Sequence, residues 1–481
     1  MTKTERPNIL LYCTDQQRAD LMGCMGHQGI RTPNLDALAS RGALLKNLFI
    51  QGPVCMPSRS SILTGTYPSR HGVTDNGYNL SEHLPTLGGL FANAGYHTGA
   101  VGRTHLRCSR PHPVHPAKDY YGFEDCVHSQ CYWDGLDPHG EYLAWIRREH
   151  PACYDEAATT NTDRIDRKDA FCAGWTTLDD DKTMTAWVTD QSLSWIDRHQ
   201  AHRNNEPFLL WAGTWDPHAR FLVPKPWDTL YPPHEIPLPV RRDREWESLA
   251  PHYAKQSLRE WTNSDTPLDE VIRNSLSIYY GMISHIDDQF GRLMRGLHQR
   301  GIAENTIVVF LSDHGEMAGN HWVWHKGPYF FDDALRVPGI ISWPAGLPGK
   351  TRLDALVETI DLLPTLAALA EVPAGPTHQG RSFDAVLRGT AAAHRADVFC
   401  EYHDHNVSGE RMFTLRDERC RITLYQGKPY GELFDLVGDP NALRNLWDDP
   451  SHAELRQTMT DRLLRRIMAN SEYADTREDL W

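Results

Sequence analysis

The sequence predicts an α/β fold: a large, mostly parallel mixed sheet with helices on both faces, joined to a smaller C-terminal antiparallel α+β subdomain. Three observations predict it. Short apolar runs bounded by polar or turn residues recur along the chain. Helix-like segments closed by glycine alternate with them, which is the rhythm of a parallel sheet covered on both sides. Beyond Asp397 the pattern changes to paired short strands around a polar turn. At 481 residues the chain exceeds a domain of roughly 100–200 residues. It divides into a first domain, residues 1–375, with an insertion at about 106–200, and a C-terminal subdomain, residues 376–481.

Taken in order, Asn8 to Cys13 is an apolar run between Pro7 and the polar "TDQQ", a buried strand with Asp15 and Gln16 just past its C-terminal end. That is the end at which open α/β sheets bind ligands. "TPNLDALASRG" is a short helix: Thr32 stands at the N-cap, Pro33 at the first position, Leu35, Leu38 and Ala39 on one face, and Gly42 as the stop. Leu84 to Ala94 followed by "GYHTGAVG" repeats the helix, glycine, strand order. Pro207 to Gly213 is a further strand, and the helix Asn274 to Arg300 leads into the strand of "TIVVFLSDHG". Residues 106–200 fit the rhythm poorly and read as an insertion of loops and short helices. Near the C-terminus "RMFTL" and "RITLY" flank the turn "RDERC", and a last helix starts at about Ala453.

Composition excludes several classes. A net charge of -14, from 49 Lys+Arg against 63 Asp+Glu, argues against nucleic acid, whose affinity rests on many cationic contacts to phosphate. No window approaches the ~18 uninterrupted apolar residues of a membrane span, and the N-terminus shows no signal-peptide core. A cytoplasmic location with reduced thiols is the expectation, since the ten cysteines follow no regular spacing. Homo-oligomerisation is left open.

"GPVCMPSRSSILTG" places Cys55 where Pro57 and the serines suit the first turn of a helix, a position that stabilises a thiolate or an oxyanion. Cys55 taken alone reads first as one buried cysteine among several. Its neighbours change that reading. Cys55-x-Pro57-x-Arg59 followed by "SSILTG" resembles the signature of the type I sulfatases, in the alkaline phosphatase superfamily, whose cysteine is oxidised to formylglycine after translation. The likeness extends in family order through "PNILLYCTDQ", "TPNLDALASRG", "PFLLWAGTWDPH", "VVFLSDHGEMAGNHWVWHKGPYFFDDALRVP" and "ELFDLVGDPNALRNL".

The resemblance implies a sulfatase that hydrolyses organic sulfate monoesters through a covalent sulfo-enzyme intermediate, releasing inorganic sulfate and an alcohol or phenol. Formylglycine hydrates to a geminal diol, so one hydroxyl can attack sulfur and the other can expel sulfate afterwards. It also implies one divalent metal ion, to activate that hydroxyl near neutral pH, held by Asp15, Gln16, Asp313, His314 and the modified Cys55. Relatives commonly carry Asp where Gln16 stands and Asn where His314 stands. Calcium is the first expectation, and an imidazole in the set leaves room for manganese. Arg59 is assigned to the formylglycine diol, and His218 and Lys326 to the sulfate and the leaving alcohol. "VGRTHL" supplies Arg103, at a position usually held by lysine, and His105, the base of sulfate release. Phosphonate monoester hydrolases of the same superfamily share the Asp-Gln and Asp-His pairs but carry Tyr and Thr where Arg103 and His105 stand, so they are the alternative. A formylglycine-generating enzyme is the implied maturation partner, and a small-molecule sulfate ester the substrate.

The cysteines and histidines of the insertion (Cys108, Cys126, Cys131, Cys153, Cys172, His112, His115, His128 and His139) match no structural zinc spacing and are not assigned to a metal.

Overall fold

The sheet is organised around β1 (Asn8–Thr14), a strand buried at every position after Asn8. The computed structural model describes residues 6–107, 121–129, 140–158, 169–203, 206–258 and 266–471. The further strands in chain order are β2 (Ala43–Phe49), β3 (His97–Gly102), β4 (Asp125–His128), β5 (Ala173–Trp175), β6 (Phe208–Gly213), β7 (Phe221–Val223), β8 (Thr306–Ser312), β9 (Arg336–Val337), β10 (Gly339–Ser342), β11 (Thr351–Glu358), β12 (Val398–His403), β13 (Arg411–Arg416), β14 (Cys420–Tyr425) and β15 (Gly431–Asp435). The main sheet runs β11-β2-β10-β8-β1-β6-β3-β4, with β9 on β2. β8, β1, β6, β3 and β4 are mutually parallel, while β10 runs antiparallel to both β8 and β2. The sheet is thus large, mixed and mostly parallel, and β12 to β15 form the separate antiparallel sheet that the sequence predicts.

Alternation along β1 divides the core. Ile9, Leu11 and Cys13 pack with Ile62, Leu87, Phe91 and Leu366, whereas Leu10 and Tyr12 pack with Leu35, Leu38, Trp187 and Phe290. Successive strand residues face opposite ways, so helices are needed on both sides. The helix α1 (Pro33–Arg41) buries Leu35, Leu38 and Ala39 as its spacing predicts. Thr32 does not cap it with its side chain; its hydroxyl accepts from Gly23 N at 2.8 Å and reaches Asp36 Oδ1 at 3.2 Å. The long helix starts earlier than its sequence suggests, at Leu268, and runs to Gln299.

The insertion departs from expectation. Residues 184–203 form a 20-residue helix that covers β3 and β6, and β4 extends the main sheet. This part continues the α/β rhythm. Its buried positions include Thr185, Thr189, Ser192 and His199, which hide the apolar stripe a sequence reading looks for. Cys108, Cys131, His112, His115 and His139 lie outside the described residues.

A buried ionic knot fastens the C-terminal sheet to the end of β11 in the main sheet. Arg395 binds Glu358 Oε2 at 3.1 Å and Asp361 Oδ1 at 2.5 Å, and Glu358 also accepts from Phe399 N at 2.7 Å and from Arg466 Nη2 at 3.1 Å. Strand ends from both sheets and the terminal helix Ala453–Ser471 therefore meet at one carboxylate. Burial pushes the Asp361 carboxyl up, but Arg395 and His394 outweigh it and hold it at about 2. Replacing Arg395 by Met takes a cation from two buried carboxylates and leaves Glu358 with Arg466 and Asp361 with His394, at a cost of about 3 kcal/mol, the lower end for breaking a buried pair, measured as a lower urea midpoint at pH 7; an unchanged midpoint would contradict this role. Because the Asp361 carboxyl is depressed on folding, its contribution is present above its ordinary value of 3.8 and is lost as pH falls toward 2. Wild-type unfolding free energy should drop through that window.

Candidate active site and metal centre

Four neighbouring parallel strands end at one rim. Thr14 of β1 lies opposite Ser312 of β8, Cys13 opposite Gly213 of β6, and Gly102 of β3 opposite Gly213. The segments that leave these strands carry Asp313 and His314, Asp15 and Gln16, His218, and Arg103 and His105. Gly102 turns at φ 80°, and a Cβ there would lie 2.1 Å from the Gly213 carbonyl, so only glycine lets these two chains part at that point.

Cys55 opens the helix α2 (Cys55–Thr64), all of whose residues are buried. Val54 is extended, and Asn76 Oδ1 accepts the Met56 N–H at 2.9 Å, satisfying one N–H of the first turn. Two of its three buried serines find partners: Ser58 Oγ donates to Asp313 O at 2.5 Å, and Ser61 Oγ meets His71 Nε2 at 3.0 Å. Residues four apart share a helix face. The spacing of Cys55 and Arg59 therefore aims both at the same strand ends.

There the two aspartates divide their oxygens. Arg59, fully buried, donates from Nε to Asp313 Oδ2 at 2.7 Å and from Nη2 to Asp15 Oδ2 at 3.2 Å, and Arg103 Nε adds a bond to Asp15 Oδ2 at 2.7 Å. Each Oδ1 is left on the other side. Asp15 Oδ1 is 3.6 Å from Cys55 Sγ and 3.5 Å from His314 Nε2, and His314 Nε2 is 3.2 Å from Cys55 Sγ and 3.6 Å from Asp313 Oδ1. His314 donates its Nδ1 proton to Gly315 O at 2.9 Å, so Nε2 faces the carboxylates. Donor atoms of Asp15, Cys55, Asp313 and His314 all lie within 4.8 Å of one another. Among the described residues this is the cluster that could hold a metal ion. The sequence assigned Arg59 to the nucleophile; its bonds here go to both carboxylates, to Arg103 O and to Thr14 O.

The electrostatics fit a cation. Burial and Lys326 push the His314 imidazole down, yet Asp313, Cys55 and Asp15 outweigh them and hold it up to about 10. A raised imidazole in a buried site is the mark of converging negative groups. Burial likewise raises Asp15, but Arg103, His314 and Arg59 hold it well below the carboxylate range. Burial and Asp15 raise the Cys55 thiol, while Lys326 and His314 bring it below its ordinary value.

Around this cluster Lys326 Nζ donates to Gln16 Oε1 at 2.5 Å. Arg103 donates from Nη2 to His105 Nδ1 at 2.7 Å and stacks on Trp215, 4.4 Å from the ring centroid. His218 also packs against Trp215, ring centroids 4.5 Å apart, and gives its Nδ1 proton to Ala219 O. Burial and Lys326 hold His218 well below its ordinary value, and burial and Arg103 do the same to His105. Both imidazoles are neutral at pH 7. All the residues singled out in the sequence therefore meet at one rim. Sequence reasoning missed Asn76, Trp215 and Glu316, which touch this group through contacts between distant segments.

Residues 7–372 match the family described as Sulfatase, and residues 319–469 match the C-terminal region of N-sulphoglucosamine sulphohydrolase. An arylsulfatase of Clostridium perfringens is 28% identical, with 98% of this chain and 96% of the relative covered. A choline-sulfatase of Rhizobium meliloti is 27% identical, with 95% and 85% covered. The solved structure of a phosphonate monoester hydrolase from Silicibacter pomeroyi superposes with a TM-score of 0.82 at 25% identity, covering 97% of this chain and 96% of that one. With a cysteine-headed helix, paired strand-end aspartates and a family match over most of its length, the chain belongs to the sulfatase family of sulfuric ester hydrolases.

Proposed function

We propose that this chain hydrolyses organic sulfate monoesters with Cys55, oxidised to formylglycine by a formylglycine-generating enzyme, as its nucleophile. The observation that carries the reading is the convergence of Cys55 Sγ, Asp15 Oδ1 and His314 Nε2 in a fully buried cluster, with Arg59, Arg103 and Lys326 around it. The hydrated aldehyde would supply one hydroxyl to attack sulfur as the S–O bond to the alcohol breaks, and a second whose deprotonation expels sulfate and restores the aldehyde. Asp15, Gln16, Asp313 and His314 would hold one divalent ion, calcium or manganese, which lowers the pKa of that attacking hydroxyl and draws charge from the sulfuryl group.

The remaining roles follow from protonation states. Lys326 and Arg103 offer donors to the sulfuryl oxygens, whose charge grows in the transition state. Lys326 is also the acid for the leaving alcohol. His218 is neutral and its proton already faces Ala219 O. His105 takes the proton during sulfate release. While Arg103 donates to His105 Nδ1, that lone pair is occupied; a sulfate that draws the guanidinium toward itself returns it, which ties base action to an occupied site.

A second reading, a phosphonate monoester hydrolase or phosphodiesterase, is favoured by the Asp15-Gln16 and Asp313-His314 pairs and by the superposition on such an enzyme. Arg103 and His105 favour sulfate. No helix among the described residues is long and apolar enough to cross a membrane.

Cys55→Ala should lower turnover of 4-nitrophenyl sulfate by ~10^4-fold or more; turnover at the wild-type rate would sink the proposal. A kcat/KM on the matched phenyl phosphonate ester above that on the sulfate would move the assignment to the second reading. His105→Ala should slow sulfate release by ~10^2-fold or more, so the intact protein gains the mass of one sulfo group during turnover; a slow variant that stays unmodified would place His105 in the first step instead.

A further inference from the structure

Gln16 is held at every polar atom. Its N–H donates to Asp313 Oδ1 at 3.0 Å and its carbonyl accepts from Tyr279 OH at 2.6 Å. Its side-chain nitrogen donates to Glu316 Oε2, and its side-chain oxygen accepts from Lys326 Nζ at 2.5 Å. Glu316 is fully buried, and its other oxygen accepts from Ala318 N at 2.9 Å. His325 Nδ1 stands 3.4 Å from Glu316 Oε2. The carboxamide thus lies between a buried carboxylate and an ammonium group whose charge acts on Cys55 and His314.

An ionised carboxylate only accepts hydrogen bonds and an ammonium only donates them. An amide between the two has one orientation. The flipped form would set its oxygen against Glu316 and its NH2 against Lys326, an unpaired and repulsive contact at each end. In the observed form the amide oxygen spends one lone pair on Lys326 and retains a second. A neutral side chain at a ligand position has no charge to choose its own orientation, and here the choice is made one residue further back.

We infer that Glu316 is a positioning residue: it locks the Gln16 carboxamide with its oxygen on the Lys326 side, so that a neutral amide serves as an oxygen donor to a cation held by Asp15, Asp313 and His314. The lock spans a sequence separation of 300 residues and joins the end of β1 to the loop after β8. This inference rests on the metal set of the proposed function, but not on the substrate or on oxidation of Cys55.

The test is a double-mutant cycle read by binding of Mn2+ alone to the chelator-stripped full-length protein, by titration calorimetry. Glu316→Gln keeps the size but can present either end of its own amide, so the orientation is released. It should weaken Mn2+ binding by roughly 10-fold, the lower end for loss of an outer partner of a ligand, and by less than about 2-fold in a Gln16→Met background. Equal weakening in both backgrounds would show that Glu316 does not act through Gln16 and would overturn the inference. Gln16→Met leaves Glu316 in place and must itself weaken Mn2+ by roughly 10-fold. Unchanged binding there overturns the inference even if Glu316→Gln does not fold. A coupled cycle in a protein that hydrolyses no sulfate ester would leave this inference standing and remove the proposed function alone.

Discussion

Everything at the rim depends on one buried cation between two buried carboxylates. Asp15 and Asp313 end adjacent parallel strands, so the ladder that forms the core also forces two like charges together. Two carboxylates that close would share a proton if nothing opposed it. Arg59 opposes it by taking one oxygen from each, at 3.2 and 2.7 Å, which turns the other two toward Cys55 and His314. Because Arg59 follows Cys55 by about one helical turn, the residue that aligns the carboxylates also fixes the position of Cys55 relative to them. The spacing of the motif is then a geometric requirement of the site.

The same constraint explains the charge states nearby. Cations on the far side of Asp15 keep it ionised and, with burial, keep His105 and His218 neutral. Neutral imidazoles next to arginine and lysine can move protons without adding to the positive charge that must bind the ester. His314 is the opposite case: the oxygens around it favour its charged form, and a divalent ion would replace that proton. One rim thus separates a cation-seeking half from an anion-seeking half, and the reacting sulfur would lie at their boundary.

Much of this was legible in the sequence, and the parts that were not share a cause. Strand ends could be read because β1 and β8 are short apolar runs that stop at polar residues, but an aspartate after a strand reads by itself as a turn or cap, and Asp15, Gln16, Asp313 and His314 became a metal set only through the family resemblance. Cys55 and Arg59 were legible as a motif, although the partners of Arg59 were not, since they belong to two other segments. Gln16 and Glu316 are 300 residues apart, and Asn76 meets α2 only through a loop, so neither contact leaves a local signal. The helix Met184–Arg203 was read as insertion because threonine, serine and histidine occupy its buried face; tertiary packing overrode the periodicity.

The central claim is that the residue at the head of α2 works as an aldehyde hydrate and not as a thiol. It is tested most directly by the mass of the peptide spanning residues 52–65, isolated from active protein made in its own host. The account predicts the aldehyde or its hydrate at Cys55, in a fraction that rises and falls with specific activity toward an aryl sulfate. Full activity in protein whose Cys55 is entirely an unmodified thiol would contradict it.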